Sequence, residues 1–76
     1  MKMLRLFRRR QTIVQEYAND GYTIVISPTK IATGYYEKWK HTRNGNILEL
    51  KYNENNISLY INGELKSKEQ TWFGDA

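Results

Sequence analysis

Residues 3–18 read MLRLFRRRQTIVQEYA, and whether this stretch is helix or strand decides the fold class. On a helical wheel Leu4, Phe7, Val14 and Ala18 fall on one stripe, with Leu6, Ile13 and Tyr17 beside it. Arg10 and Gln11 interrupt that stripe, so the uninterrupted helical pattern covers residues 10–19. Asn19-Asp20-Gly21 then supplies a stop: Gly21 suits the left-handed position past a helix end, and Tyr22 can make the apolar contact that accompanies it. The competitor is a hairpin, because Thr12, Ile13 and Val14 favour strand and Asn-Asp-Gly also closes hairpins. In that register Glu16 shares a face with Val14, Ile24 and Ile26, which puts a carboxylate in the core. The helix is the better reading.

From residue 22 onward the pattern is β. Tyr22, Ile24 and Ile26 alternate with Thr23, Val25 and Ser27, and Pro28 ends this strand because it cannot donate to a central ladder. Residues 31–42 read as a longer strand carrying Tyr35, Tyr36 and Trp39, with Gly34 as a bulge or bend. Asn44-Gly45 predicts a two-residue type I′ hairpin. Strands at 46–53 and 56–62 follow, joined through Asn53-Glu54-Asn55-Asn56, and Asn62-Gly63 turns the chain back to about Ser67. The expected architecture is α+β: an N-terminal basic helix packed on a four- to five-stranded antiparallel β-meander. An all-β small barrel is the alternative.

The Asn44-Gly45 turn implies a register, pairing Arg43 with Asn46, His41 with Leu48, Trp39 with Leu50 and Glu37 with Tyr52. One face then carries Trp39, Leu48, Leu50, Tyr52, Ile57, Leu59 and Ile61, which is the core the helix covers. The opposite face carries Tyr36, Lys38, Lys40, Glu49, Lys51 and Tyr60, with Ile47 and Leu65 near its edge and Lys40 opposite Glu49.

Seventy-six residues make one small domain, 1–76, with a basic arm at 1–10 and a short polar tail at 68–76 in which Trp72-Phe73 can dock. Cysteine is absent, so the fold rests on packing rather than on disulfides or a thiolate zinc site. The mean hydropathy is −0.77, and no apolar run approaches the length of a membrane span. Lys and Arg number 12 against 8 Asp and Glu, a net charge of +4. Residues 1–10 contribute +5 through Lys2, Arg5, Arg8, Arg9 and Arg10, so the other 66 residues, with 7 basic and 8 acidic groups, carry −1. Arg5 breaks the apolar stretch at residues 3–7, so the start does not read as a secretory signal, and a cytoplasmic protein is expected. The wealth of Lys, Asn, Ile and Tyr suits an AT-rich bacterium or its phage.

Catalytic sets are hard to assemble. His41 is the one histidine, and a place beside Leu48 in the hairpin fits it better than a metal ligand. The serines lack any other natural base, the glycines stand singly at turns, and Glu37 and Glu49 fall on opposite faces. No enzyme, no cofactor and no metal are expected. The Tyr/Lys face offers more: Tyr36 and Tyr60 can stack bases while Lys38, Lys40 and Lys51 meet phosphates. The same residues also make an ordinary solvated sheet face. Lys2, Arg5, Arg8, Arg9 and Arg10 suit a phosphate backbone, although a basic amphipathic start can also lie on a membrane or snorkel over core. The expectation is a small binding module for nucleic acid, a nucleoprotein or an acidic protein surface. The alternative is a protein–protein module, such as a phage or mobile-element inhibitor of a host enzyme. A homodimer fits either, and a membrane partner fits less well.

Overall fold

In the computed structural model, the backbone of residues 2–70 and the side chains of residues 6–70 are described. The helix α1 spans Lys2–Asp20 and is followed by five strands: β1 Tyr22–Ile31, β2 Gly34–His41, β3 Ile47–Tyr52, β4 Asn56–Ile61 and β5 Glu64–Gln70. All neighbours are antiparallel and the sheet order is β1-β2-β3-β4-β5, a meander with two free edges rather than a closed barrel. The α+β reading holds, with five strands. The helix covers one face of the sheet and leaves the other open.

Helix α1 begins earlier than the sequence pattern suggests, and Arg10 is the reason. At 3.6 residues per turn, Leu6, Arg10, Ile13 and Tyr17 lie within about 60° of one another. Leu6, Ile13 and Val14 are buried and Tyr17 packs beside them, whereas Phe7 and Ala18 are exposed. Arg10 does not interrupt the buried stripe; it lies at the centre of it. The stop is as expected: Gly21 has φ +117°, its N–H donates to the Ala18 carbonyl, and Tyr22 is buried edge-on against Tyr17.

The hairpin at residues 42–45 corrects the expected register. The His41 N–H donates to the Asn46 carbonyl and the Gly45 N–H returns to the His41 carbonyl, so the loop has four residues. Gly45 adopts a left-handed φ of +75° but Asn44 does not, which excludes a type I′ turn. The loop is held instead by the buried His41 ring, whose Nδ1 accepts the Arg43 and Asn44 N–H groups. The Nε2–H then donates to the Asp20 carbonyl at 2.9 Å, tying the hairpin to the helix end. Two extra loop residues shift every pairing by two and leave each side chain on its expected face. Trp39 therefore opposes Leu48, Glu37 opposes Leu50, and Lys38 rather than Lys40 opposes Glu49.

Two other boundaries move. Pro28 does not end β1, which continues to Ile31 with register shifts between Ile24 and Ile26 and between Ile26 and Thr29. An edge strand can hold a proline at such irregularities because the missing N–H faces no partner. The stretch 31–42 is not one strand: Ile31 pairs with Gly34 across a tight turn, and β2 begins at Gly34. Asn62-Gly63 makes the tight turn expected, and its φ values of 51° and 83° are those of type I′. Strand β5 runs on to Gln70, so residues 68–70 are sheet rather than tail, and the expected docking of Trp72-Phe73 lies outside the described residues.

The core comprises Leu6, Ile13, Val14, Tyr22, Leu48, Leu50, Tyr52, Ile57 and Leu59, with Trp39 and Ile61 packed against it. Glu37 is buried within it at 0% exposure. Its carboxylate accepts two hydrogen bonds from the Arg10 guanidinium at 2.8 and 2.7 Å, one from Trp39 Nε1 at 2.8 Å and one from the Tyr52 hydroxyl at 2.7 Å. Burial pushes the Glu37 carboxyl up; the donors from Arg10, Trp39 and Tyr52 together outweigh it and hold the group below its ordinary value. Among the described residues no buried side-chain nitrogen or oxygen lacks a partner.

Candidate nucleic-acid interface

The open face of the sheet is organised by cross-strand pairing. One row runs from Tyr36 on β2 through Lys51 on β3 and Ser58 on β4 to Lys68 on β5. The next runs from Lys38 through Glu49 and Tyr60 to Leu65, and a third begins with Lys40 opposite Ile47. The expected platform residues Tyr36, Lys38, Lys40, Lys51 and Tyr60 thus share one face. Lys68, read from the sequence as tail, joins them once β5 is extended. The face carries four lysines, Lys38, Lys40, Lys51 and Lys68, against Glu49.

Glu49 is already engaged, since the Tyr36 hydroxyl donates to it at 2.5 Å. Burial and that hydrogen bond push the Tyr36 hydroxyl up to about 12. A raised phenol favours the fold up to the ordinary pH of 10.0, and this contribution is lost as pH rises through about 12. Glu49→Gln is expected to move the Tyr36 titration part of the way back toward 10.0, because burial remains. Phenolate absorbance during an alkaline titration checks this; an unchanged curve would sink the assignment to Glu49.

The two tyrosines are less free to stack than the sequence implies. Tyr36 is held by its hydroxyl, and Lys51 Nζ lies 5.4 Å from the centroid of the Tyr60 ring. The ammonium groups are freer: none of the four lysines pairs with a carboxylate among the described residues.

The basic helix is not part of this face. Arg9 pairs with Glu69 of β5 at 2.5 Å, and Arg10 is the partner of Glu37, so both are turned toward the covered side of the sheet. Arg8 is exposed and makes no ion pair among the described residues. Lys2 and Arg5 lie on the first turns of α1, and their side chains fall outside the described residues. Of the ten residues expected to act together, the eight whose side chains are described therefore divide between the helix and the open face of the sheet. Sequence reasoning missed Ser58 and Lys68; the signal lay in the Ser67-Lys68-Glu69-Gln70 stretch, whose alternation is masked by a lack of apolar residues.

Among the described residues no three His, Cys, Asp or Glu side chains are arranged to hold a metal ion, and no helix is long and apolar enough to cross a membrane. No protein-family model, curated protein or solved structure matches the chain.

Proposed function

We propose that this protein is a small non-catalytic module that binds single-stranded nucleic acid on the open face of its sheet. The observation that carries this reading is the set of four lysines that, among the described residues, have no ion-pair partner and stand on a face no other described element covers. An uncovered antiparallel sheet bearing aromatics and unpaired cations is a general platform for a sugar–phosphate strand. Lys38, Lys40, Lys51 and Lys68 supply the attraction, and Tyr36 and Tyr60 supply apolar contact to sugars and base edges. Arg8 extends the positive field, while Arg9 and Arg10 are spent on the fold. Such a partner fits the cytoplasm of a bacterial or phage-infected cell.

Neutralising three or four phosphates gives a slope of log affinity on log salt between about −2 and −3, a roughly 20- to 50-fold loss between about 50 and 200 mM salt. Fluorescence anisotropy with a labelled single-stranded oligonucleotide measures it. Absence of binding at low salt refutes the proposal.

A second reading has its own observation. Ile24, Val25 and Ile26 of the β1 edge are 44, 54 and 37% exposed, three consecutive apolar side chains in solvent. That favours a protein partner, as an inhibitor of a host enzyme would have, or a second copy of the chain. Val25→Asp is expected to abolish such an association without changing oligonucleotide binding.

A further inference from the structure

The geometry points to a phosphate seat at the β3–β4–β5 end of the open face, formed by Lys51, Ser58 and Lys68 and taking one backbone phosphate of a nucleic-acid strand. It rests on the reading of this face as a nucleic-acid platform and adds to it a defined anion site.

Lys51 pairs with Ser58 and Ser58 pairs with Lys68, so a hydroxyl stands directly between two lysines on adjacent strands. Strands lie about 4.8 Å apart, which sets the two lysine backbones about 10 Å from each other across the serine. Flexible ammonium side chains rooted at that distance can converge on one anion above the hydroxyl, which donates a third hydrogen bond. The surface between them is concave: a cleft of about 160 Å³ is lined by Lys51, Ser58, Tyr60, Lys68, Asn53 and Asn56 among others, and no carboxylate among the described residues lines it. This volume is about five waters' share of liquid, and far below the roughly 300–1,000 Å³ of sites for drug-sized ligands. It suits an oxyanion group rather than a base.

Lys51 and Lys68 are rooted on either side of Ser58, and the Lys51 ammonium rests 5.4 Å from the centroid of the Tyr60 ring. Neither lysine has a carboxylate partner among the described residues. Glu69, next to Lys68 in sequence, belongs to the other face and is taken by Arg9. A lysine on an edge strand has a plain role in keeping that edge solvated. That role requires neither a second lysine across a shared hydroxyl nor a cleft between them.

The test uses the whole chain and the variants Lys51→Gln, Lys68→Gln and the double variant, all at exposed positions. Inorganic phosphate titrated into isotope-labelled protein is expected to shift the amide resonances of residues 51, 58 and 68, and the double variant is expected to lose these shifts. With a single-stranded oligonucleotide, removing one shared phosphate lowers the salt slope by about 0.7. Either single change is expected to give most of that loss, and the double little more, because the lysines serve one site. Phosphate shifts that lie elsewhere or persist in the double variant overturn the seat. So do additive losses of about 0.7 for each lysine, which mean two separate contacts. Oligonucleotide binding with an unaltered slope in the double variant overturns the seat and leaves the platform standing. Phosphate binding without oligonucleotide binding overturns the platform and the nucleic-acid source of the phosphate together.

Discussion

Arg10→Leu is expected to destabilise the fold by about 3–5 kcal/mol and to reverse its dependence on acid pH, because it strips a buried carboxylate of its counter-charge. Glu37 has no exposed surface, and its two oxygens take two hydrogen bonds from Arg10 as well as those from Trp39 and Tyr52. In the native chain the Glu37 carboxyl lies below its ordinary value of 4.5, so the unfolded chain binds more protons in acid. The stability this group contributes is present above 4.5 and is lost as pH falls through the depressed value. Without Arg10 the carboxyl loses the first of its lowering contributions, and burial, the largest single cause, is expected to carry it above 4.5. The folded variant then binds the extra proton, and its stability declines as pH rises through the raised value. Urea unfolding at several pH values from about 3 to 7 reads both slopes. Parallel profiles for the two proteins would overturn the account. The triple change Arg10→Met, Glu37→Leu and Tyr52→Phe removes both charges and the Tyr52 hydroxyl but leaves the Trp39 Nε1–H without its acceptor. It is expected to recover part of the loss and to stay below the native chain by about 1–3 kcal/mol, the cost of that unsatisfied donor.

Gly34→Ala is expected to cost about 4 kcal/mol, from a strained backbone and from a forced displacement of the neighbouring strand. Gly34 opens β2 at φ +145°, a conformation that side-chain-bearing residues rarely adopt. A methyl group there would stand 2.2 Å from the Tyr52 carbonyl oxygen and 2.9 Å from Asn53 Cβ. The obstacle is mostly backbone, so no rotamer change relieves it. Domains of this length have total stabilities of about 4–11 kcal/mol, so the variant keeps at most about 7 kcal/mol and its melting point is expected to fall steeply. Far-UV circular dichroism and thermal melting check this. Gly45→Ala is the control: no atom lies within 4 Å of the added carbon, although its φ of +75° still imposes strain. A melting point for Gly34→Ala no lower than that of the control would contradict the clash.

The parts of the fold legible from sequence are those governed by side-chain period. Face assignment survived a wrong register because the loop error was an even number of residues, so Leu48, Leu50, Tyr52, Ile57 and Leu59 are buried as expected. The register itself was not legible, because the choice of loop depends on His41 accepting two loop amides, a tertiary contact that Asn-Gly alone does not reveal. Arg10 was misleading for a related reason. A charged residue at a buried helix position reads as a break unless its partner is known, and Glu37 is 27 residues away. Of the candidate site, the shared face of Tyr36, Lys38, Lys40, Lys51 and Tyr60 was legible from alternation. The separation of the arginines from that face was not, since it follows from ion pairs formed only on folding. Lys68 was lost because a polar edge strand carries no hydrophobic period to mark it.

The irregular course of β1 bears on how the molecule behaves in a crowded solution. A ten-residue apolar edge strand with an unbroken row of amide and carbonyl groups would template the stacking of further copies into fibres. Two register shifts, the second of which contains Pro28, interrupt that row in two places, so another strand cannot continue the ladder over more than a few residues. Any partner that meets the Ile24, Val25 and Ile26 side chains must therefore recognise their shape and apolarity rather than extend the sheet. The exposed edge can stay sticky toward one fitted surface while remaining a poor seed for amyloid.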